Sequence, residues 1–468
     1  MVAGTSGDAG KTVVTVGLAR ALARQGRRVA PFKKGPDYID AAWLSAAAGE
    51  VARNLDTFLA DPVVVRRSFM EHAVSDGVNL IEGNRGFHDG MDADGSHSSA
   101  ALSKLIECPV VLVQDVTKMT RSAAAFVLGS RLLDEGVEIA GVVLNRVAGA
   151  RHEKVVRSSI EQHCGVPVLG AIPKLSAESR IPLRHLGLVT PGEEKRLSQL
   201  VDRYGDVVDE NVDLSRLLQI ARAAKPMTGT EERRLSAARS GRTVGGTRSG
   251  VRICILSDSA FSFYYPENLE ALEAAGAELF SLSALDAREL PPCDALYVGG
   301  GFPETHASAL AENSSFRRSL FLAAEAGLPV YAECGGLIYL AESLSWRGKE
   351  YPMTGVFPIR IAIDEKPCGH GYTRCVVDGR NPFFEEGTEL KGHEFHYSRV
   401  VPGKSGLAAT DSVFKDSVFE VKRGTGCGES RDGLLRWNVL GTYLHVHALG
   451  CPEWARGVVR AAEKNRKE

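Results

Sequence analysis

"MVAGTSGDAGKTVVTVGLARALARQG", residues 1–26, decides the fold class. A glycine-rich opening runs straight into a segment whose apolar residues fall at helical spacing. Five residues separate Gly4 from Gly10-Lys11-Thr12, one more than the common phosphate-binding loop has. The physics survives the extra residue. Glycines such as Gly7 and Gly10 let backbone N–H groups converge on phosphate oxygens, and a helix starting near Lys11 turns its positive end toward them. Lys11 adds a point charge, and the Thr12 hydroxyl is placed to hold magnesium. The competing reading, an ordinary strand-to-helix turn, does not need Gly-Lys-Thr at its end.

Outward from that loop, strand-length apolar runs alternate with helix-period segments: "NLIEG" (79–83), "CPVVLVQD" (108–115), "EIAGVVLN" (138–145) and "VPVLGAIP" (166–173). Continuous Val/Ile/Leu strands separated by helices predict a parallel sheet covered on both faces. The pattern stops over 226–250, a polar stretch rich in Gly, Ser and Arg. It restarts at "VRICILSDS" (251–259) as a second α/β series, with partly antiparallel material toward the end. The expected domains are 1–225 and 251–468, joined by a linker over 226–250.

The composition fits that reading. The chain has 468 residues, 44% hydrophobic and 24% charged, with a formal net charge of −2. Such a balance points away from nucleic acid or a membrane surface as the partner. Nine scattered cysteines without a CxxC pair read as free thiols in a reducing compartment, so a cytoplasmic protein is expected. No apolar run approaches membrane-spanning length, and no leader pattern precedes the loop.

Three stretches carry further chemistry in the first half. In "FKKGPDYID" (32–40), Lys33 and Lys34 precede a Gly-Pro turn and Asp37 follows it; alone, this reads as a solvated charged turn. In "IEGNRGFHDG" (81–90), Glu82 closes an apolar strand where a parallel sheet presents ligands, and Asp89 follows in a glycine-rich loop. A carboxylate there either caps a helix or reaches magnesium, and the strand-end position favours the metal. Asp115 and Asn145 also end strands, and Asn145 is placed to read a base edge.

In the second half, "PVYAECGGLIYL" (329–340) sets Cys334 between an apolar strand and a helix-period run. A nucleophile at such an elbow needs small residues after it, and a helix N-terminus there is expected to lower the thiol pKa. The Gly335 amide would point where an oxyanion forms, and "YVGGGFPETHA" (297–307) offers a second donor at Gly300 or Gly301. "GTYLHVHALG" (441–450) supplies His445 and His447 for a general base. Each piece has a plainer reading: a buried structural cysteine, a satisfied histidine.

Together these motifs resemble the cobyrinic acid a,c-diamide synthase family, across residues 1 to about 455. The first half resembles its P-loop synthetase domain, related to dethiobiotin synthetase, and "IPLRHLGLVTP" (181–191) also matches. The second half resembles its class I-type glutamine amidotransferase domain. The resemblance implies an ATP- and glutamine-dependent carbon–nitrogen ligase of cobalamin biosynthesis that amidates the a and c acetates of a tetrapyrrole through an acyl phosphate. It implies ATP and Mg2+ at Gly7, Gly10, Lys11, Thr12, Lys33 and Asn145, with Thr12, Asp37 and Glu82 toward the metal. Asp37 and Asp89 would serve the reaction, and Tyr38 and Ile39 would meet the carboxylate substrate. Cys334 would be the glutaminase nucleophile and His445 its base, because the family pattern is Tyr, one residue, His, as in Tyr443 and His445. Gly301 and Gly335 would face glutamine. Class I relatives often place an acidic residue two positions after the histidine; here that place holds His447, so no orienting residue is identified. A homodimer is a candidate assembly. The competing readings are a nickel-sirohydrochlorin a,c-diamide synthase, a cobyric acid synthase and, from another class, a P-loop partitioning switch.

Overall fold

A computed structural model describes residues 1–176, 181, 183–184, 187–191, 196–225, 227, 250–403 and 414–467. The expected linker, 226–250, lies outside the described residues except at 227 and 250, as do residues 182, 185 and 186 of the 181–191 motif. The chain divides into two compact units: Met1–Thr57 with Asp61–Ala238, and Phe58–Ala60 with Arg239–Glu468.

The first unit is built on a seven-stranded sheet. Its strands are β1 (Val2–Gly4), β2 (Val29–Lys34), β3 (Arg53–Leu55), β4 (Val78–Gly86), β5 (Val110–Asp115), β6 (Ile139–Val147) and β7 (Val168–Pro173). They are all parallel, in the order β3-β2-β4-β1-β5-β6-β7. One core joins Val14, Leu18 and Leu22 of α1 (Lys11–Arg24) to Trp43 and Leu44 of α2 (Tyr38–Ala48). On the other face, Val127, Val156 and Ile160 pack over Leu112 and Leu144. Helices therefore cover both faces, as continuous apolar strands require. A two-stranded antiparallel pair, β8 (Leu183–Arg184) with β9 (Gly187–Leu188), follows.

Topology places the loop. The chain leaves β1 through α1 toward β2 on one side, whereas β5, β6 and β7 build outward on the other. The carboxyl end of β1 is thus a switch point, where an open α/β sheet leaves a crevice for ligands.

The second unit has a ten-stranded sheet in the order β11-β10-β12-β13-β22-β21-β20-β17-β18-β23. Its parallel half comprises β10 (Arg252–Leu256), β11 (Glu278–Leu282), β12 (Ala295–Val298), β13 (Val330–Glu333) and β22 (Val439–Thr442). The antiparallel half adds β17 (Gly369–Val377), β18 (Glu389–His396), β20 (Ser417–Arg423), β21 (Arg431–Arg436) and β23 (His445–Val446). A smaller sheet of β14 (Ala341–Trp346), β15 (Lys349–Pro352), β16 (Phe357–Ile363) and β19 (Ser398–Pro402) stands beside it.

Only Tyr443 and Leu444 separate β22 from β23, yet β23 pairs with β18 at the far edge of the sheet. The three Cα–Cα steps from Thr442 to His445 span roughly 11 Å at most, so the antiparallel half must curl until its edge meets the end of β22. That curl brings His445 back toward the carboxyl end of β13, where Cys334 stands.

Candidate active sites

The loop after β1 starts α1 at Gly10, whose φ of 91° suits glycine. A Cβ there would stand 2.1 Å from Asn145 Nδ2. Asn145, buried two residues before the end of β6, donates through that nitrogen to the Ala9 carbonyl at 2.8 Å and accepts the Arg146 amide at 2.9 Å. Its expected place is a base edge; the structure uses its amide to strap the loop. Lys11 is buried, and its ammonium donates to the carbonyls of Ser6 (3.2 Å) and Gly7 (2.9 Å). Burial, then the Lys33 charge, lowers its pKa.

Beside the loop, β2 and β4 pair Lys33 with Glu82, and β1 pairs Val2 with the same glutamate. Thr12 Oγ1 donates to Glu82 Oε1 at 2.8 Å, and Lys33 Nζ reaches that oxygen at 3.1 Å. Lys33 also donates to Asp40 Oδ2 at 2.7 Å and to the Gly83 carbonyl at 3.0 Å. Burial alone would depress this lysine, but Asp40 and Glu82 hold its ammonium above the ordinary range. Glu82 is fully buried, and burial pushes its carboxyl up to about 7 against the pull of Lys33. Its Oε2 has no hydrogen-bond partner among the described residues.

That unpartnered oxygen, beside a hydroxyl and a loop of N–H groups, suits magnesium at a nucleotide. Such an ion takes one or two protein oxygens and completes its shell with phosphate and water. No three His, Cys, Asp or Glu side chains form a metal cage among the described residues. The site fits an ion shared with phosphates.

Other expected residues divide. Asp37 caps α2, its Oδ1 accepting the Ile39 and Asp40 amides at 2.9 Å, and burial with Asp40 nearby raises its carboxyl to about 6. Tyr38 is the first residue of α2, and Ile39 packs against the core. Asp89 is exposed; its Oδ2 closes a turn by accepting the Gly86 amide at 2.8 Å, and it shares no hydrogen bond with the Lys33–Glu82 cluster. Asp115 pairs with Thr117 and Arg146. Asp40 is the residue the sequence reading missed. Its place three residues past a capping aspartate, in the first turn of α2, was the available signal.

In the second unit, Cys334 follows β13 with φ 46° and ψ −95°, and the short helix Gly335–Leu340 begins immediately after it. Its amide donates to the Thr442 carbonyl at 2.7 Å, locking the elbow to β22. The thiol is buried. Burial, then the carboxylates of Glu304 and Glu333, push its pKa well up, with the Gly335 amide working the other way. This corrects the expected lowering. One short helix does not offset desolvation and two anions, so the resting side chain is a neutral thiol that needs a base.

A Cβ on Gly335 would lie 2.9 Å from the Gly301 nitrogen and 3.2 Å from the Gly300 carbonyl carbon, so two glycine backbones meet beside the nucleophile. A Cβ on Gly300 would lie 2.5 Å from His445 Cε1 and 3.3 Å from its Nε2. The imidazole edge, the triple-glycine loop and the elbow thus share one corner. Tyr264 fixes that loop, accepting the Gly299 amide at 2.8 Å, and Phe263 donates to the Gly300 carbonyl at 3.0 Å. Behind His445, His393 stacks at 4.8 Å between centroids, and Glu333 Oε2 faces Nδ1 at 3.3 Å. His447 turns Nε2 to Glu267 at 3.7 Å and accepts the Leu449 amide at 3.2 Å. Asp432, buried, holds the turn before His445 through the Thr442 hydroxyl (2.7 Å) and the Tyr443 and Leu444 amides.

Two family descriptions match the two halves. Residues 1–189 match the CobQ/CobB/MinD/ParA nucleotide binding domain, and residues 252–452 match the CobB/CobQ-like glutamine amidotransferase domain. The chain is 42% identical over 459 residues to the cobyrinate a,c-diamide synthase of Magnetococcus marinus, covering 98% of this chain and 96% of that one. It is 38% identical over 473 residues to the enzyme of that name from Archaeoglobus fulgidus, covering 100% and 98%. Among solved structures, PurLQS from Thermotoga maritima is 18% identical, with a TM-score of 0.35 over 47% of this chain and all of that one. No helix among the described residues is long and apolar enough to cross a membrane. Identity of this extent along nearly the whole chain, on two units that each carry a formed site, places it in the cobyrinate a,c-diamide synthase family.

Proposed function

We propose that this chain converts the a and c acetate side chains of cobyrinic acid to amides, using ATP and glutamine. In the first unit, a substrate carboxylate oxygen attacks the γ-phosphorus of ATP, ADP leaves, and an acyl phosphate forms. Ammonia then attacks the acyl carbon, phosphate departs with the bonding electrons, and loss of a proton leaves the amide. The difficulty is the approach of two anions. Lys11, Lys33 and the loop amides offset it. Magnesium, held by Thr12 and Glu82, would add positive charge at the phosphate oxygens.

In the second unit, the Cys334 proton moves to His445 Nε2 as sulfur attacks the glutamine amide carbon. The amides of Gly335 and Gly301 receive the oxyanion. The intermediate collapses by breaking the C–N bond, and His445 returns the proton to the leaving nitrogen as ammonia. Water then hydrolyses the thioester to glutamate, with His445 again taking the proton.

The observation that carries this reading is the backbone of Cys334. A non-glycine residue at φ 46° and ψ −95° costs on the order of 1–3 kcal/mol, a strain a structural cysteine has no use for. Cys334→Ala tests it. Glutamine-dependent amidation of cobyrinic acid should fall at least ~10³-fold while amidation with free ammonia persists. A variant that still hydrolyses glutamine would overturn the assignment of the nucleophile. Wild-type enzyme that amidates nickel sirohydrochlorin but not cobyrinic acid would overturn the substrate.

A further inference from the structure

We propose that Glu333, the residue immediately before the nucleophile, is the positioning carboxylate for His445, filling the role that the sequence leaves open at His447. The inference rests on reading Cys334 as the glutaminase nucleophile.

Glu333 ends β13, is fully buried, and lies in register with Thr442 on β22. Its carboxylate accepts from three directions: the Tyr297 hydroxyl at 3.1 Å and His445 Nδ1 at 3.3 Å on Oε2, and the Val446 amide at 3.3 Å on Oε1. Tyr297 is a dependable donor, because burial and then Glu333 itself push its phenol well above the ordinary range. With a carboxylate on Nδ1, the proton of the neutral ring sits there. Nε2 is then the basic nitrogen, and its edge is the one facing Gly300. When Nε2 takes the thiol proton, the imidazolium has a buried negative charge on its opposite side.

The other candidates are turned elsewhere. His447 directs its two nitrogens to the Leu449 amide and Glu267. Asp432 spends its oxygens on Thr442, Cys427 and the amides of 433, 443 and 444. Among the described residues, the charged and titratable groups near this corner include Glu333 on β13, Tyr297 on β12, His393 on β18, His447 on the following turn, and Cys334 with Glu304 beside it. His393 is held well below the ordinary range by burial, then by His445 and His447, so a neutral ring stacks on the base. Glu333 is an anion in hydrogen-bond contact with the imidazole, at 3.3 Å from Nδ1.

The test compares wild type, Glu333→Gln, Glu333→Asp and Cys334→Ala in glutaminase assays across pH, with thermal melts and ammonia-dependent amidation to report the fold. Glu333→Gln should lower glutaminase kcat by about 10²–10³-fold with a much smaller change in KM, because an amide can hold either tautomer and offers no charge. The acid limb of its kcat/KM profile should move to lower pH, as the imidazolium loses its counter-charge. Glu333→Asp, one methylene shorter, should recover part of the rate and the wild-type limb. Tyr297→Phe, a milder change, should lower kcat about 3–10-fold. If Cys334→Ala is dead but Glu333→Gln keeps wild-type kcat and an unmoved limb, the Glu333 assignment alone is overturned. Wild type without glutaminase, or an active Cys334→Ala, would overturn the nucleophile reading and the role of Glu333 with it.

Discussion

Glu82 meets two opposed demands: burial favours its neutral form, and the cation proposed to sit at the nucleotide would require its charge. Its carboxyl is held up at about 7, against 4.5 for an ordinary glutamate. Between those values the folded chain keeps a proton that the unfolded chain has lost, so the contribution of Glu82 to stability falls as pH rises through that window. Glu82→Gln removes the titration and keeps the shape. Without nucleotide or metal, its stability, read from melting curves, should match wild type near pH 4.5 and exceed it increasingly toward pH 8, by roughly 3 kcal/mol at most. Parallel melting curves, or a variant that falls behind as pH rises, would show that Lys33 outweighs burial. Glu82, Lys11, Thr12 and Cys334 were legible in sequence as candidates, because each is announced by its immediate neighbours; but Glu82 does not close its strand as expected, since β4 runs on to Gly86 and leaves it mid-strand beside the loop. Glu333 was not legible. Its contact depends on the direction of a side chain across two strands, although a charged residue ending the apolar run "LPVYA" was a signal.

At the scale of elements, the loop after β1 is held by another strand. Asn145, near the end of β6, donates to Ala9, and Gly10 leaves just enough room for that side chain. Asn145→Ala should raise the KM for ATP by roughly tenfold, the worth of one buried hydrogen bond, and leave glutaminase activity alone. Gly10→Ala should do more, since a Cβ would meet Asn145 Nδ2 at 2.1 Å and the left-handed backbone adds about 1–2 kcal/mol of its own. Nucleotide titration of the two variants measures both, and equal affinities would remove the strap. The sequence showed both elements and placed Asn145 for a base edge, but its contact with the loop was not legible, because which loop faces a strand is a property of strand order. The same limit hid the curl that carries β23 to β18. Antiparallel pairing at long range leaves no local periodicity to read.

Across the whole molecule, each unit closes its own cores over both faces of its own sheet. A change that disables one site therefore need not unfold the other. Lys11→Ala should abolish amidation from either nitrogen source, because the phosphate loses its point charge, yet keep glutamine hydrolysis within about twofold. Cys334→Ala should lose glutamine hydrolysis and keep amidation from free ammonia. Neither protein alone amidates cobyrinic acid with glutamine. Mixed, they should do so through ammonia released to the solution, after a lag that lengthens on dilution and with a rate that an enzymatic ammonia scavenger removes. Loss of glutaminase in Lys11→Ala would instead mean that the thiol site depends on nucleotide chemistry. A mixture that amidates at once, indifferent to the scavenger, would mean that the units of different chains complement one another directly. The kinetic reason to expect the lag follows from the proposed chemistry: ammonia would leave the glutaminase site as a neutral, soluble molecule, and the ligase site of a second protein would meet it only at its bulk concentration, which takes time to build up.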